Sequence, residues 1–356
     1  MGEQAKRYSI NALKYGVGLV LLAWMIWRNW APPGGSGIGL RDAFAKPIQL
    51  LPLGLAAASF TIAVALTFLR WYVLVHAQDL PLSLFNTLRL GLLGFFWNTL
   101  LPGSIGGDIV KATYIAREQS RRTVAVATVL IDRALGLWGI ILVVALLGGT
   151  FWICGSPIIH GSAEMRSLIL TCVVIVAVSV CVWLVLGVLP ARRVHRFAGR
   201  LGGIPKIGHS AAEFWLAVWL YRSKRNSMAG ALLLSLGSQF FFIFTFYFAA
   251  QIFCEPNEQV LMPDLREQFV LVPVGIAAQT LPLTPGGMGV GQAVFGWLYG
   301  LVDEAMTVTG VLASIARDVI AWTLGFIGYL VYLRMRPAVP PPIEEEPVPA
   351  TVPSAS

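Results

Sequence analysis

The sequence predicts an all-α polytopic membrane protein with about six full spans, two re-entrant helical hairpins and an inverted-topology repeat. Three observations carry this. Hydrophobic residues make up 56% of the 356 positions and charged residues 12%, with mean hydropathy +0.72; a soluble domain carries about 25% charged residues. The apolar runs approach the roughly 20 residues that a helix needs to cross a bilayer, which favours helices over a barrel. Two glycine-proline breaks interrupt the apolar pattern, one in each half, and each precedes a charged pair in the next long run: Asp132-Arg133 and Arg317-Asp318. Broken helices and charges are costly at membrane depth, so two copies argue for two halves of one polar site.

Residues 11–30 form the first span, with Lys6, Arg7 and Lys14 before it and Trp24, Trp27 and Trp30 at the interfacial end. Nothing after it resembles a cleavage site, so it is read as a retained helix. Residues 48–75 make the second span, closed by Arg70-Trp71-Tyr72. Residues 84–101 run directly into the first break, Leu101-Pro102-Gly103-Ser104-Ile105-Gly106-Gly107-Asp108, and a mixed segment follows at 109–122. Residues 123–151 and 167–189 are spans. The polar stretch 191–226 holds eight Lys/Arg against one acid, Glu213. Within it Phe214, Trp215, Val218, Trp219 and Tyr221 pattern as one apolar face of an interfacial helix. Residues 227–253 span again. An acidic loop, 254–267, leads to a short run at 268–281, the second break through Pro285-Gly286-Gly287-Met288-Gly289, and another short run at 290–302. Residues 307–333 are the last span, and the Pro- and Glu-rich tail 337–356 reads as disordered.

The formal charge of +8 reflects the positive-inside bias of a membrane protein; no basic soluble module points to nucleic acid. Reading 84–101 as a full span would put two basic stretches outside. With 84–122 as a hairpin entering and leaving on the cytoplasmic side, the basic loops fall inside except the three bases at 28–47, and the acidic loop falls outside. By the same logic 268–302 is a hairpin from the outer face, and both termini are cytoplasmic. The chain is then one transmembrane domain, 1–336, in which repeat 1 (about 48–151) and repeat 2 (about 227–334) run in opposite senses around the basic cytoplasmic stretch. Gly106 to Arg133 is 27 residues and Gly289 to Arg317 is 28.

A Gly-Gly turn feeding a helix presents backbone N–H groups to an anion, and an arginine adds a planar fork suited to phosphate oxygens. Gly106, Gly107, Gly286 and Gly287 with Arg133 and Arg317 are therefore candidate phosphate contacts. The competing reading is that the charged pairs neutralise each other or a neighbouring helix, while the glycines permit close packing. Asp108 is read as a helix cap in preference to a cation ligand. Asn98 and Gln279, just before the breaks, are candidate cavity-lining residues. Cys154, Cys172, Cys181 and Cys254 show no metal-ligand spacing, although Cys154 and Cys254 fall on one side and leave a disulfide open. No hydrolase, metalloprotease or P-loop signature is present and the four histidines do not cluster, so no catalytic residue, metal or cofactor is assigned.

The pattern Asn98-x-x-x-Pro102-Gly103-x-x-Gly106-Gly107-Asp108 resembles the first motif of the lysylphosphatidylglycerol synthetase transmembrane (flippase-like) family. Asp132-Arg133 does so too, where the family often has Glu-Arg. Pro285-Gly286-Gly287-Met288-Gly289-Val290 and the later Arg317 resemble its second motif, and the resemblance covers about 40–335. It implies a polytopic membrane protein that moves lipids between leaflets; relatives take aminoacylated phosphatidylglycerol or polyprenyl-phosphate sugars. Lys111 matches a frequently basic position and would contact a headgroup. These residues carry no soluble aminoacyl-transferase domain, so lipid aminoacylation is not expected.

The expectation is a translocase, not an enzyme, for a phosphate-containing phospholipid or polyprenyl-phosphate lipid in the cell (inner) membrane. Arg133 and Arg317 would hold the phosphate in a midplane cavity, with transport facilitated or coupled through Asp132 or Asp318. Its rivals are an integral-membrane transferase using a lipid-phosphate donor, with Asp108 as base, and a non-catalytic membrane scaffold.

Overall fold

The computed structural model describes residues 3–31, 39–101, 106–118, 121–188, 190–202, 208–253, 261–280, 284 and 287–335. Every regular element among them is helical. Helix α1 (Glu3–Arg28) leads to the short α2 (Leu40–Ala45), which is folded back on its end by the bond from Leu40 N–H to the Asn29 carbonyl at 2.9 Å. Then come α3 (Leu50–Ala77), α4 (Leu84–Leu100), α5 (Gly106–Glu118) and α6 (Arg122–Val143). A π-helical turn at Val144–Gly148 joins α6 to α7 (Gly149–Ile153), and α8 (Pro157–Gly161) precedes α9 (Ala163–Val188). The basic stretch forms α10 (Ala191–Gly202) and α11 (Gly208–Leu220). The second half holds α12 (Arg225–Ala249), α13 (Leu265–Gln279), α14 (Val290–Gly300) and α15 (Thr307–Arg334).

Five helical stretches are long and apolar enough to cross a membrane: α3, α6 continued through α7, α9, α12 and α15. They are five of the six expected spans; in α1 the apolar stretch is the shorter Gly16–Arg28. The protein is thus an all-α polytopic membrane protein. Helices α4, α5, α13 and α14 have 17, 13, 15 and 11 residues. At 1.5 Å per residue none reaches the roughly 30 Å of a hydrocarbon core.

Each pair of short helices is an antiparallel hairpin. In the first, Asn98 faces Gly107 and Gly94 faces Lys111; in the second, Gln279 faces Gly291 and Gly275 faces the Phe295 ring. Glycine is required here because a Cβ on Gly107 would collide with the Gly94 carbonyl, and one on Gly275 with Phe295. Around the hairpins α3 and α12 pack along most of their length, also antiparallel. Gln49 N–H donates to the Ile252 carbonyl at 2.9 Å, and Phe60 meets Phe242 with ring centroids 5.6 Å apart. Leu66 lies beside Gly237, and Arg70 reaches Ser235 at 3.0 Å. The packing pattern is matched between halves: α5 on α6 and α14 on α15, α3 on α6 and α12 on α15, α4 on α15 and α13 on α6.

The basic stretch folds as two helices, and the second carries Phe214, Trp215, Val218 and Trp219 of the expected apolar face. Its two helices pack on each other, Phe197 on Trp215 with centroids 5.0 Å apart, and α11 packs on α6. Tyr221 is buried, its hydroxyl donating to the Leu74 carbonyl at 2.9 Å, so this end of the anticipated face docks onto the bundle. Cys154 is a free, exposed thiol. Cys254, Pro102, Gly103, Pro285, Gly286 and the tail 337–356 lie outside the described residues.

Candidate functional site

The site begins with the turns. Asn98, at the end of α4, accepts the Gly107 N–H on its Oδ1 at 2.7 Å and so ties α5 back to α4. In the second hairpin Gly287 and Gly289 take φ of +78° and +80°, a left-handed conformation that suits glycine. Gly287 N–H donates to the Thr284 carbonyl at 3.3 Å, and Gly289 N–H to Gln292 Oε1 at 2.7 Å. The N–H groups of Gly107, Gly287 and Gly289 are therefore spent within the protein. Of the four glycines expected as phosphate contacts, Gly107 and Gly287 thus have intramolecular acceptors for their N–H groups, and Gly286 lies outside the described residues.

The third residue of each returning helix then meets the charged pair on the following span. Asp108, third in α5, ion-pairs with Arg133, Nε to Oδ2 3.4 Å. Gln292, third in α14, donates from Nε2 to Asp318 Oδ2 at 2.8 Å. Asp318 also accepts from its neighbour Arg317, Nη1 to Oδ1 2.7 Å, and the Arg317 guanidinium lies 5.6 Å from the Phe60 ring. Asp132 turns the other way and pairs with Arg70 of α3 at 2.7 Å. That guanidinium also donates to Ser235 Oγ at 3.0 Å, binding α3, α6 and α12 together. Lys111 is buried over the Trp71 ring, its Nζ 4.1 Å from the centroid. Asp108 was expected to cap α5; it sits in the first turn but is committed to Arg133.

The charged groups among them face one cavity of about 260 Å³. It lies among α3, α4, α5, α6, α12, α13 and α15, and both Arg133 and Arg317 line it, together with Asn98, Asp108, Lys111, Asp132, Gln279 and Asp318. Phe60, Phe95, Phe242 and Trp322 supply apolar wall. The Arg133 side chain is 33% exposed and marks the open rim, whereas Arg317 at 18% lies deeper. Several buried polar atoms find no partner among the described residues: both ends of the Gln279 amide, Gln239 Oε1 and Arg317 Nε. Buried polar atoms are normally satisfied, so their gathering around a cavity marks it as a place for a polar occupant. Gly106, Gly287 and Gly289 stand behind the lining as turn residues.

Two members of the site escaped the sequence reading. Arg70 stands in the sequence as part of the close of its span, yet Leu74, Val75 and Ala77 beyond it are fully packed. The signal was its place inside a 28-residue apolar helix, where an arginine needs a buried partner. Gln292 carries no charge and its one cue was spacing, at the position of Asp108 in the other half.

A polytopic α-helical membrane protein with a charged interior cavity beside two helical hairpins is the class that this geometry defines. The chain belongs to the family described as the lysylphosphatidylglycerol synthase transmembrane region, whose model matches residues 11–328. No curated protein and no solved structure matches it.

Proposed function

We propose that the protein is a lipid translocase whose cavity receives the phosphate-bearing headgroup of a phospholipid or polyprenyl-phosphate lipid while the acyl chains stay in the bilayer. The observation that carries this reading is the shared cavity. Arg70, Lys111, Arg133 and Arg317 line it against Asp108, Asp132 and Asp318, four cations less three carboxylates, a formal excess of one positive charge. A buried excess of positive charge is costly until an anion joins it. The volume suits a headgroup and not a whole lipid, and the aromatic wall offers a path for the glycerol end. Arg133 at the rim and Arg317 in depth would bind the phosphate in succession.

The hairpins are read as re-entrant from opposite faces, giving an inverted-topology repeat of α3–α6 and α12–α15. The antiparallel packing of α3 on α12 and the matched contacts of the two halves support this, because corresponding helices of an inverted repeat run in opposite directions. The basic α10–α11 stretch and both termini are assigned to the cytoplasmic side of the cell membrane. Transport, not catalysis, is the assigned activity: Asp108, the one carboxylate suited to act as a base, is engaged by Arg133.

The test is transbilayer movement of a labelled phosphatidylglycerol and of a labelled uncharged lipid in vesicles holding purified protein. Arg133→Ala and Arg317→Ala are expected to slow the phosphate lipid at least tenfold, the size of a lost charge-assisted contact. Equal rates for wild type and both variants would discard the clamp.

A further inference from the structure

A groove of about 530 Å³ runs between α5 and α6. The two helices are joined where Ile115 packs in the core with Val124 and Ala125. Beside that contact Ala112 and Ala116 of α5 are too small to close the gap to Val126 and Val129 of α6, and the groove remains. Ile109 and Leu130, both exposed, form its lips. The Thr113 hydroxyl donates to the Ile109 carbonyl at 2.8 Å, so among the described residues the walls between the two ends are apolar in effect. Arg117 and Arg122 stand at one end. At the other end Asp108 lines both this groove and the charged cavity. Groove and cavity therefore meet at the Asp108–Arg133 ion pair, 3.4 Å long and at the open rim. From Asp108 to Arg117 α5 rises about 13.5 Å, close to the roughly 15 Å of one leaflet's hydrocarbon.

We infer that an acyl chain of the lipid whose headgroup occupies the charged cavity lies in this α5–α6 groove, so that the first hairpin and the span after it form the chain-binding half of the lipid site. The inference deepens the reading proposed above and rests on its placing of a headgroup in the cavity. Continuity decides the class of occupant. A water-soluble anion would fill the cavity and leave the groove empty, and a plain hydrocarbon would do the reverse. An amphiphile meets both at once, because a polar cavity and an apolar groove join at one residue, Asp108. The apolar walls reward a chain in proportion to the surface that it covers. The second hairpin is built differently on this face: Phe295 of α14 is buried against Phe246 and Tyr299, where α5 has Ala112 and Ala116.

The experiment is photo-crosslinking of the purified full chain in phosphatidylcholine vesicles, using phosphatidylglycerol with a diazirine on one acyl chain and locating the adducts by peptide mass spectrometry. The exposed helix α9, with only 6% of its apolar window buried, reports ordinary surrounding lipid. Adducts should concentrate on the α5–α6 groove relative to α9. Arg317→Ala, deep in the cavity, should lower the groove's share about tenfold, the size of a lost charge-assisted contact. A diazirine-labelled diacylglycerol, which has the chains and no phosphate, should show the same loss on the unaltered protein. Ala112→Trp, which fills the groove, should remove the adducts there and slow phosphatidylglycerol movement; if it does not fold, Val126→Trp fills the groove from α6. The inference is overturned if the groove is labelled no more than α9, or if the diacylglycerol labels it as well as phosphatidylglycerol, since the lipid there is then only surrounding lipid. Phosphatidylglycerol movement that slows in Arg317→Ala without groove adducts would sink the groove and keep the translocase. Groove adducts that depend on the phosphate, with no transbilayer movement, would keep the groove and sink the translocase.

Discussion

The two hairpins share a plan and differ in chemistry. In the first, the returning helix brings its own charges: Asp108 to Arg133, and Lys111 over Trp71. In the second, the returning helix brings only the Gln292 amide, and the charges Arg317 and Asp318 sit side by side on α15. The first turn depends on space, with Gly107 against the Gly94 carbonyl; the second depends on conformation, with Gly287 and Gly289 at positive φ. The difference teaches that a motif repeated in sequence need not repeat its interactions. Position is kept, third residue of the returning helix against the pair on the next span, while the partner changes from a carboxylate to an amide.

The largest expected effect tests how each aspartate is held. Arg70→Ala leaves Asp132 buried without its cation and should cost about 3–5 kcal/mol in unfolding measured in detergent. Gln292→Ala removes one bond from Asp318 but leaves Arg317 in place, for a smaller loss of about 1.5–3 kcal/mol. An Arg70 variant as stable as wild type would show that Asp132 relies on other groups, as Asp318 does. Next come the turns. Gly107→Ala should cost about 1–3 kcal/mol through overpacking against Gly94, and Gly287→Ala about 1–2 kcal/mol through left-handed strain. Pairing each with Gly94→Ala separates the causes: the Gly107 and Gly94 effects should be non-additive, whereas Gly287 and Gly94 should add. The smallest effect belongs to the open rim. Asp108→Asn should change stability by no more than about 1 kcal/mol, because the ion pair is long and Arg133 is partly exposed. The same variant should alter lipid movement more than stability, and a variant altered only in stability would take Arg133 out of the clamp.

Much of this was legible in the chain itself. Long apolar runs fix where spans lie, since hydrocarbon accepts only internally hydrogen-bonded helices, and five of six expected spans reappear at nearly their expected bounds. The expectation of hairpins at Gly106 and Gly287 came from the chain breaks and from the charges of the flanking loops, both local features of the sequence. Asn98 and Gln279, the polar residues just before the breaks, line the cavity. What the chain alone left open was which partner each charge takes. Asp132 finds Arg70, 62 residues away, and Asp318 finds Gln292, 26 residues away. Whether Arg133 and Arg317 face one cavity was undecidable from spacing. Apolarity and chain breaks are local properties, written residue by residue. The pairing of buried charges depends on which helix faces meet, and only the packing of α3, α6, α12 and α15 around the two hairpins decides that.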